Sequence, residues 1–120
     1  MERRIHPRIE MTCPFLYSTD IYPRPKVAST LDLSMGGARI ETQYLLIGGE
    51  RLEIWIGIRS KVIRCRGHVV HTEWPAGNRL NAGVQFEEIS EEDSVYLGEY
   101  ISSFMGQRGQ ISPLGRYSKA

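Results

Sequence analysis

Strict alternation of apolar and polar residues from Glu50 to Ile58 is the feature that most constrains the fold. The apolar residues occupy every second position: Leu52, Ile54, Ile56, Ile58. Successive side chains of a β-strand point to opposite faces of its sheet, so this spacing predicts a strand with one face in a hydrophobic core. A strand of this kind is stable only with partner strands beside it, so the rest of the chain is expected to contain further strands.

Weaker versions of the same pattern recur in five other segments. The predicted strands cover residues 11–17, 27–33, 38–42, 61–74 and 80–86. Pro14 predicts an edge position in the first of them, and Gly67 is the predicted bend in the long fourth one. Segments rich in proline, glycine, aspartate and asparagine separate the strands, so the chain is mainly β.

One helix is predicted near the end of the chain. Ser90 and Asp93 have the spacing of a capping box, and the residues between them are acidic, which favours a helix N-terminus. An apolar stripe follows at offsets of three and four: Leu97, Tyr100, Ile101, Phe104. Gly106 marks the predicted end. The expected organisation is an arm over residues 1–9, a β-domain with a C-terminal helix over 10–105, and a flexible tail over 106–120. About six strands and one helix predict a small antiparallel barrel or sandwich.

Length and charge exclude several classes of protein. A chain of 120 residues has room for one domain, and a net charge of +1 gives no global field that would attract a polyanion. The sequence has no hydrophobic signal region and no apolar run long enough to span a bilayer, so the expected location is the cytoplasm. Cys13 and Cys65 lack the spacing of a metal or redox motif and are expected to be buried and reduced.

Positive charge is concentrated in the N-terminal arm, where Arg3, Arg4 and Arg8 lie close together. Pro7 disfavours helix, so the arm is expected to be extended. In an extended arm Arg4 and Arg8 project from the same side about 13 Å apart, which is the reach of a nucleotide. The planar guanidinium group binds phosphate oxygens or the O6/N7 edge of guanine through two hydrogen bonds.

A second motif combines acceptors, a hydroxyl and glycines in the order Asp32, Ser34, Gly36, Gly37. Asp32 and Ser34 are two residues apart and are therefore expected on one face of a strand. A carboxylate can accept hydrogen bonds from the donor edge of guanine, while the Ser34 hydroxyl and the two glycine amides can donate to oxygens. Arg39, just beyond the turn, is a candidate for a further phosphate or base contact.

The two motifs together resemble the signature of the PilZ family, an RxxxR arm followed by a D/N-x-S-x-x-G turn. Arg4 and Arg8 match the first element, and Asp32, Ser34 and Gly37 match the second. The resemblance covers about residues 2–105. It implies a six-stranded antiparallel β-barrel with a C-terminal α-helix.

The resemblance also implies a ligand, the bacterial second messenger cyclic di-GMP, and no catalysis. Arg4 and Arg8 would hold phosphates or stack on guanine, and Asp32, Ser34 and Gly37 would contact a base edge. Arg3 occupies the position that influences whether one ligand or a ligand pair binds. The protein partner, from motility, exopolysaccharide or pilus machinery, stays open, as does the choice between monomer and dimer.

Two other functions are compatible with parts of the sequence. A nucleic-acid-binding barrel would use the arginine arm on phosphates, but the low net charge gives little affinity from counterion release, so nucleic acid is disfavoured as a partner. A PilZ-like adaptor that binds only protein would not need the intact motifs. No catalytic site is expected, and His68 and His71 lack the acidic or cysteine neighbours of a metal site.

The sequence also leads to an expectation about mechanism. The arm has few apolar residues, so we expect it to be mobile through Ile9 in the free protein and to become ordered against the turn when ligand binds.

Overall fold

Seven β-strands and one α-helix form the structure, a computed structural model that describes residues 7–111, with side chains through residue 105. The strands are β1 (Arg8–Ile9), β2 (Pro14–Ser18), β3 (Lys26–Ser34), β4 (Gly37–Thr42), β5 (Arg51–Ile58), β6 (Lys61–Ala76) and β7 (Arg79–Ile89). The helix, α1, is Glu91–Ile111. The predicted ligand residues Arg3 and Arg4 lie outside the described residues.

Six of the strands close into an antiparallel barrel. Their order is β3-β2-β5-β6-β7-β4, and a further pairing of β3 with β4 closes the ring. The predicted barrel with a C-terminal helix is confirmed. β1 was not predicted: its two residues pair with the end of β3 beyond the part that pairs with β2, with Arg8 opposite Ser34 and Ile9 opposite Leu33.

The core is built from the alternating residues of these strands. All four apolar residues of β5 are buried, with exposed fractions of 2% or less. The inward residues of β2 and β7 are buried as well: Phe15, Tyr17, Leu80, Ala82, Val84, Phe86. Cys13 and Cys65 are buried free thiols, as predicted, and burial raises the pKa of Cys65 to about 12.

β6 changes register where the sequence predicted a bend. Its pairing with β7 shifts between Arg66 and Gly67. A Cβ atom at Gly67 would lie 2.3 Å from the Gln85 carbonyl oxygen, so the two strands approach too closely there for any other residue. Two further shifts, at Val69/His71 and at Glu73/Ala76, distort the part of β6 that continues beyond its pairing with β5.

Helix α1 closes one side of the barrel. The Ser90 hydroxyl accepts a hydrogen bond from the Asp93 amide at 3.1 Å, which is the predicted cap, and Leu97 and Ile101 are buried. The predicted end at Gly106 is wrong, because the helix continues to Ile111. A glycine inside a helix costs only about 1 kcal/mol, which does not by itself end the helix. Residues 112–120 of the predicted tail lie outside the described part of the chain.

The described residues include no helix with the length and apolar character that crossing a membrane requires.

Candidate ligand-binding site

The β3–β4 hairpin and β1 bring the two sequence motifs into contact. Arg39 on β4 lies directly opposite Asp32 on β3, and Arg8 on β1 lies directly opposite Ser34. Opposite residues of an antiparallel pair have their side chains on the same face, and diagonal neighbours are within reach of long side chains. Both arginines therefore lie on the face that carries Asp32 and Ser34, as the spacing of those two residues predicted.

One carboxylate oxygen holds both arginines. Asp32 Oδ2 lies 3.4 Å from Arg8 Nη1 and 3.2 Å from Arg39 Nε. The Asp32 side chain is 11% exposed, whereas those of Arg8 and Arg39 are 33% and 41% exposed. Two guanidinium groups share one carboxylate, so the cluster carries a surplus positive charge at its solvent side. Such a cluster attracts an anion.

The second oxygen of the same carboxylate is in a different environment. Asp32 Oδ1 is buried and receives no hydrogen bond among the described residues. A buried acceptor without a donor is costly, by about 1–3 kcal/mol, and carboxylate oxygens are seldom left in this state. The site therefore presents an acceptor that a ligand with N–H groups would satisfy.

The turn after Asp32 is held by the Ser34 hydroxyl. Ser34 Oγ accepts hydrogen bonds from the Gly36 and Gly37 amides, both at 3.2 Å, and it donates to the Gly37 carbonyl at 3.2 Å. From the sequence, these three groups were expected to donate hydrogen bonds to a ligand. In the structure each has an internal partner, because a serine placed two or three residues before a turn amide can close a local ring. Their role here is to shape the turn.

Gly37 is required by packing against β7. A Cβ atom at this position would lie 2.1 Å from the Val84 carbonyl oxygen. The backbone that approaches this position so closely is therefore the protein's own. The Phe86 amide also donates to the Gly36 carbonyl at 2.9 Å, so β7 holds the turn from a second direction.

The family model of the PilZ domain matches residues 2–103. The chain belongs to the PilZ family. The search of curated proteins finds no match.

Solved structures with the same fold share little sequence with this PilZ chain. Bacillus subtilis inhibitor of motility (MotI/DgrA) has a TM-score of 0.75 at 16% identity, over 90% of this chain and 54% of that chain. The Escherichia coli YcgR PilZ domain with c-di-GMP has a TM-score of 0.70 at 16% identity, over 93% of this chain and 98% of that chain. The K. pneumonia MrkH–c-di-GMP complex has a TM-score of 0.71 at 14% identity, over 87% of this chain and 52% of that chain. This chain thus spans about half the length of MotI and of MrkH.

The arm of this PilZ domain is docked at its inner end. Ile9 is fully buried and pairs with Leu33, and Arg8 is held by Asp32. The expectation of an arm that is free through Ile9 is therefore wrong for these two residues. These two residues are held by one buried isoleucine side chain, two backbone pairings and an ion pair. The small number of apolar residues in the arm gives no sign of these contacts.

Sequence reasoning missed Thr30, which fixes the start of the PilZ barrel. Its buried hydroxyl accepts a hydrogen bond from the Cys13 amide at 2.8 Å and donates to the Met11 carbonyl. These bonds tie the segment between β1 and β2 to β3, and so they set where the arm leaves the barrel. The sequence does contain a signal for this role. Thr30 is a polar residue at an inward position of a predicted strand, and a buried polar group needs a hydrogen-bond partner.

The two histidines that were not expected to bind a metal lie on β6, two strands from β4. His71 lies opposite Gly83 on β7, and Gly83 lies opposite Arg39. His68 Nδ1 lies 2.8 Å from a carboxylate oxygen of Glu87, and Arg64 packs over the Trp55 ring at 5.7 Å. The described residues contain no group of three potential metal ligands.

Proposed function

We propose that this PilZ domain is a receptor for cyclic di-GMP and has no catalytic role. The observation that carries the proposal is the Asp32 carboxylate: one oxygen is bound by two half-exposed arginines, and the other is buried and receives no hydrogen bond from the residues that the structure describes. Guanine offers N–H donors on one edge and the acceptors O6 and N7 on another, and its phosphates are anionic. A guanine nucleotide therefore complements every unsatisfied group of the cluster. Two structures with the same fold, from YcgR and MrkH, are described with c-di-GMP.

Each residue has a distinct role in this proposal. Asp32 Oδ1 accepts from the donor edge of guanine, while Arg8 and Arg39 contact phosphate or the O6/N7 edge through their exposed nitrogens. Ser34, Gly36 and Gly37 act indirectly by holding the turn that positions Asp32. Arg3 and Arg4 are proposed to add phosphate or stacking contacts, as their match to the family signature implies.

The proposed switch starts at the ion pair between Arg8 and Asp32. A ligand that takes up hydrogen bonds from both residues competes with their 3.4 Å contact, so Arg8 can turn toward the ligand. Since Arg8 belongs to β1, this changes how β1 lies against β3 and alters the surface offered to a protein partner. A partner in motility, exopolysaccharide or pilus machinery is proposed on the family resemblance.

Calorimetric titration with cyclic di-GMP tests the proposal, with cyclic di-AMP and GTP as controls. We expect binding of cyclic di-GMP alone, with the ligand-to-protein ratio deciding between one ligand and a pair. No binding of cyclic di-GMP, together with strongly salt-dependent binding of an oligonucleotide, would replace the proposal with the nucleic-acid alternative.

The variant Arg8→Ala tests the assigned site. Loss of one bidentate contact is expected to weaken binding by about 1–3 kcal/mol, roughly 5- to 150-fold. Arg79→Ala is the matched control, because Arg79 also forms one ion pair, with Glu41 at 3.0 Å, outside the cluster. Equal affinity in Arg8→Ala and the wild type would remove Arg8 from the site.

A further inference from the structure

The outer part of β6 has a free edge. β5 pairs with β6 only as far as His68, which lies opposite Arg51. Val69 completes this side, since its carbonyl accepts from the Gly49 amide at 2.6 Å and its amide donates to Glu50 at 2.9 Å. Beyond Val69, no strand of the described chain pairs with this edge, while β7 continues to pair with the other edge as far as Ala76.

Two residues set the limits of this free edge. The backbone of Val69 is already hydrogen-bonded, and Pro75 has no N–H group to donate. The segment available for pairing is therefore residues 70–74, and Thr72 is its midpoint.

Four of the five side chains of this segment are exposed, Thr72 is partly buried, and two of the exposed ones are large and apolar. Val70 is 48% exposed and Trp74 is 52% exposed. His71 and Glu73 are also at the surface. An unpaired edge that carries exposed apolar side chains is a template for another strand.

We propose that this edge pairs with the same edge of a second copy of the chain, antiparallel and centred on Thr72. A two-fold axis at Thr72 places Thr72 opposite Thr72 and His71 opposite Glu73. Val70 and Trp74 lie at the register shifts of β6 and flank this short ladder. Threonine pairs and imidazole–carboxylate pairs are cross-strand combinations that stabilise antiparallel sheets.

Self-complementarity is what selects a second copy over another protein. His71 and Glu73, on the two sides of Thr72, are complementary in chemistry, and Thr72 is also the midpoint of the free edge. A second copy of this edge therefore supplies its own complement. The ladder is short and the interface small, so the dimer is expected to be weak and reversible. It joins two barrels through β6 and leaves the Asp32 cluster on β3 free in both copies.

Cross-linking of Thr72→Cys tests the pairing. Opposite residues of antiparallel strands have Cα atoms about 4.5–5.5 Å apart, within the range of a disulfide, so a cysteine on the axis should link to its symmetry mate. Under mild oxidation, we expect a covalent dimer to form about tenfold faster than in the control Val62→Cys, which places a cysteine on the same strand at a residue that is 59% exposed. Equal rates in the two variants would overturn the proposal.

A charge exchange separates pairing from simple loss of the hairpin. His71→Glu places two carboxylates opposite each other, so sedimentation equilibrium should show the dimer weakened by about tenfold. Adding Glu73→Lys to His71→Glu restores an opposite-charge pair and should restore dimerisation to within about threefold of the wild type. A double variant that stays as monomeric as His71→Glu, with its circular dichroism unchanged, would contradict the pairing about Thr72. Neither outcome depends on whether cyclic di-GMP binds.

Discussion

At the scale of single residues, the charge balance of the cluster depends on Asp32. Asp32→Asn keeps the size and an acceptor oxygen but removes the negative charge that both arginines share. Because hydrogen bonds to an ionised acceptor are worth about 1.5–3 kcal/mol, we expect cyclic di-GMP affinity to fall by about 10- to 150-fold in calorimetry. The control is Glu41→Gln, which disrupts the ion pair with Arg79 outside the cluster and should leave affinity unchanged. A similar loss in both variants would mean that Asp32 acts only through overall charge.

Gly37 gives a residue-scale prediction about stability rather than binding. Gly37→Ala would place a methyl group 2.1 Å from the Val84 carbonyl oxygen, and neither backbone can move without disturbing the β4–β7 pairing. We expect a loss of about 1–3 kcal/mol or more in the free energy of unfolding, measured by urea denaturation. Gly48→Ala is the matched control, because its new methyl group would lie 3.9 Å from its nearest neighbour, the Val70 carbonyl oxygen. Its unfolding free energy should stay within about 0.5 kcal/mol of the wild type.

At the scale of elements, the helix contributes to the fold through a narrow buried stripe. Leu97 is fully buried, whereas Val95 on the same helix is 53% exposed. Leu97→Ala should therefore lower the free energy of unfolding by about 2–5 kcal/mol, and Val95→Ala should change it by about 0.5 kcal/mol or less. Urea denaturation of both variants checks this. Comparable losses would show that the helix is stabilised by its own propensity rather than by its contact with the barrel.

Elements with a strong period were predictable from the sequence, and elements fixed by distant partners were not. Alternation located β5 and β7, and the Ser90 cap located the start of α1, because these signals lie within one segment. β1 was missed because two residues carry no period, and Ile9 docks only where Leu33 is already in place. The helix end was misplaced because one glycine is a weak stop signal.

The same distinction applies to the candidate site. Arg8, Asp32, Ser34 and Gly37 were identified from their motifs, yet their contacts were not. The proximity of Gly37 to Val84 depends on the pairing of β4 with β7, which joins distant parts of the chain. The capture of the Ser34 hydroxyl by its own turn depends on backbone geometry that several turn types allow. The residue types that could bind a nucleotide were recognisable in the sequence. Which of their polar groups remain without an internal partner depends on the three-dimensional arrangement.

At the scale of the whole molecule, the proposed ligand binding is linked to folding, since β1 and β3 create the cluster only in the folded barrel. At a ligand concentration of 100 times the Kd, binding adds about 2.7 kcal/mol to the free energy of unfolding, which raises the Tm of a domain of this size by about 10 °C. Asp32→Asn, if its Kd is weaker by tenfold, should gain only about 1.4 kcal/mol at the same concentration, and its Tm shift should be about half as large. Thermal unfolding with and without cyclic di-GMP measures both shifts. Equal shifts in the two proteins would mean that the ligand stabilises the barrel from somewhere other than the Asp32 cluster.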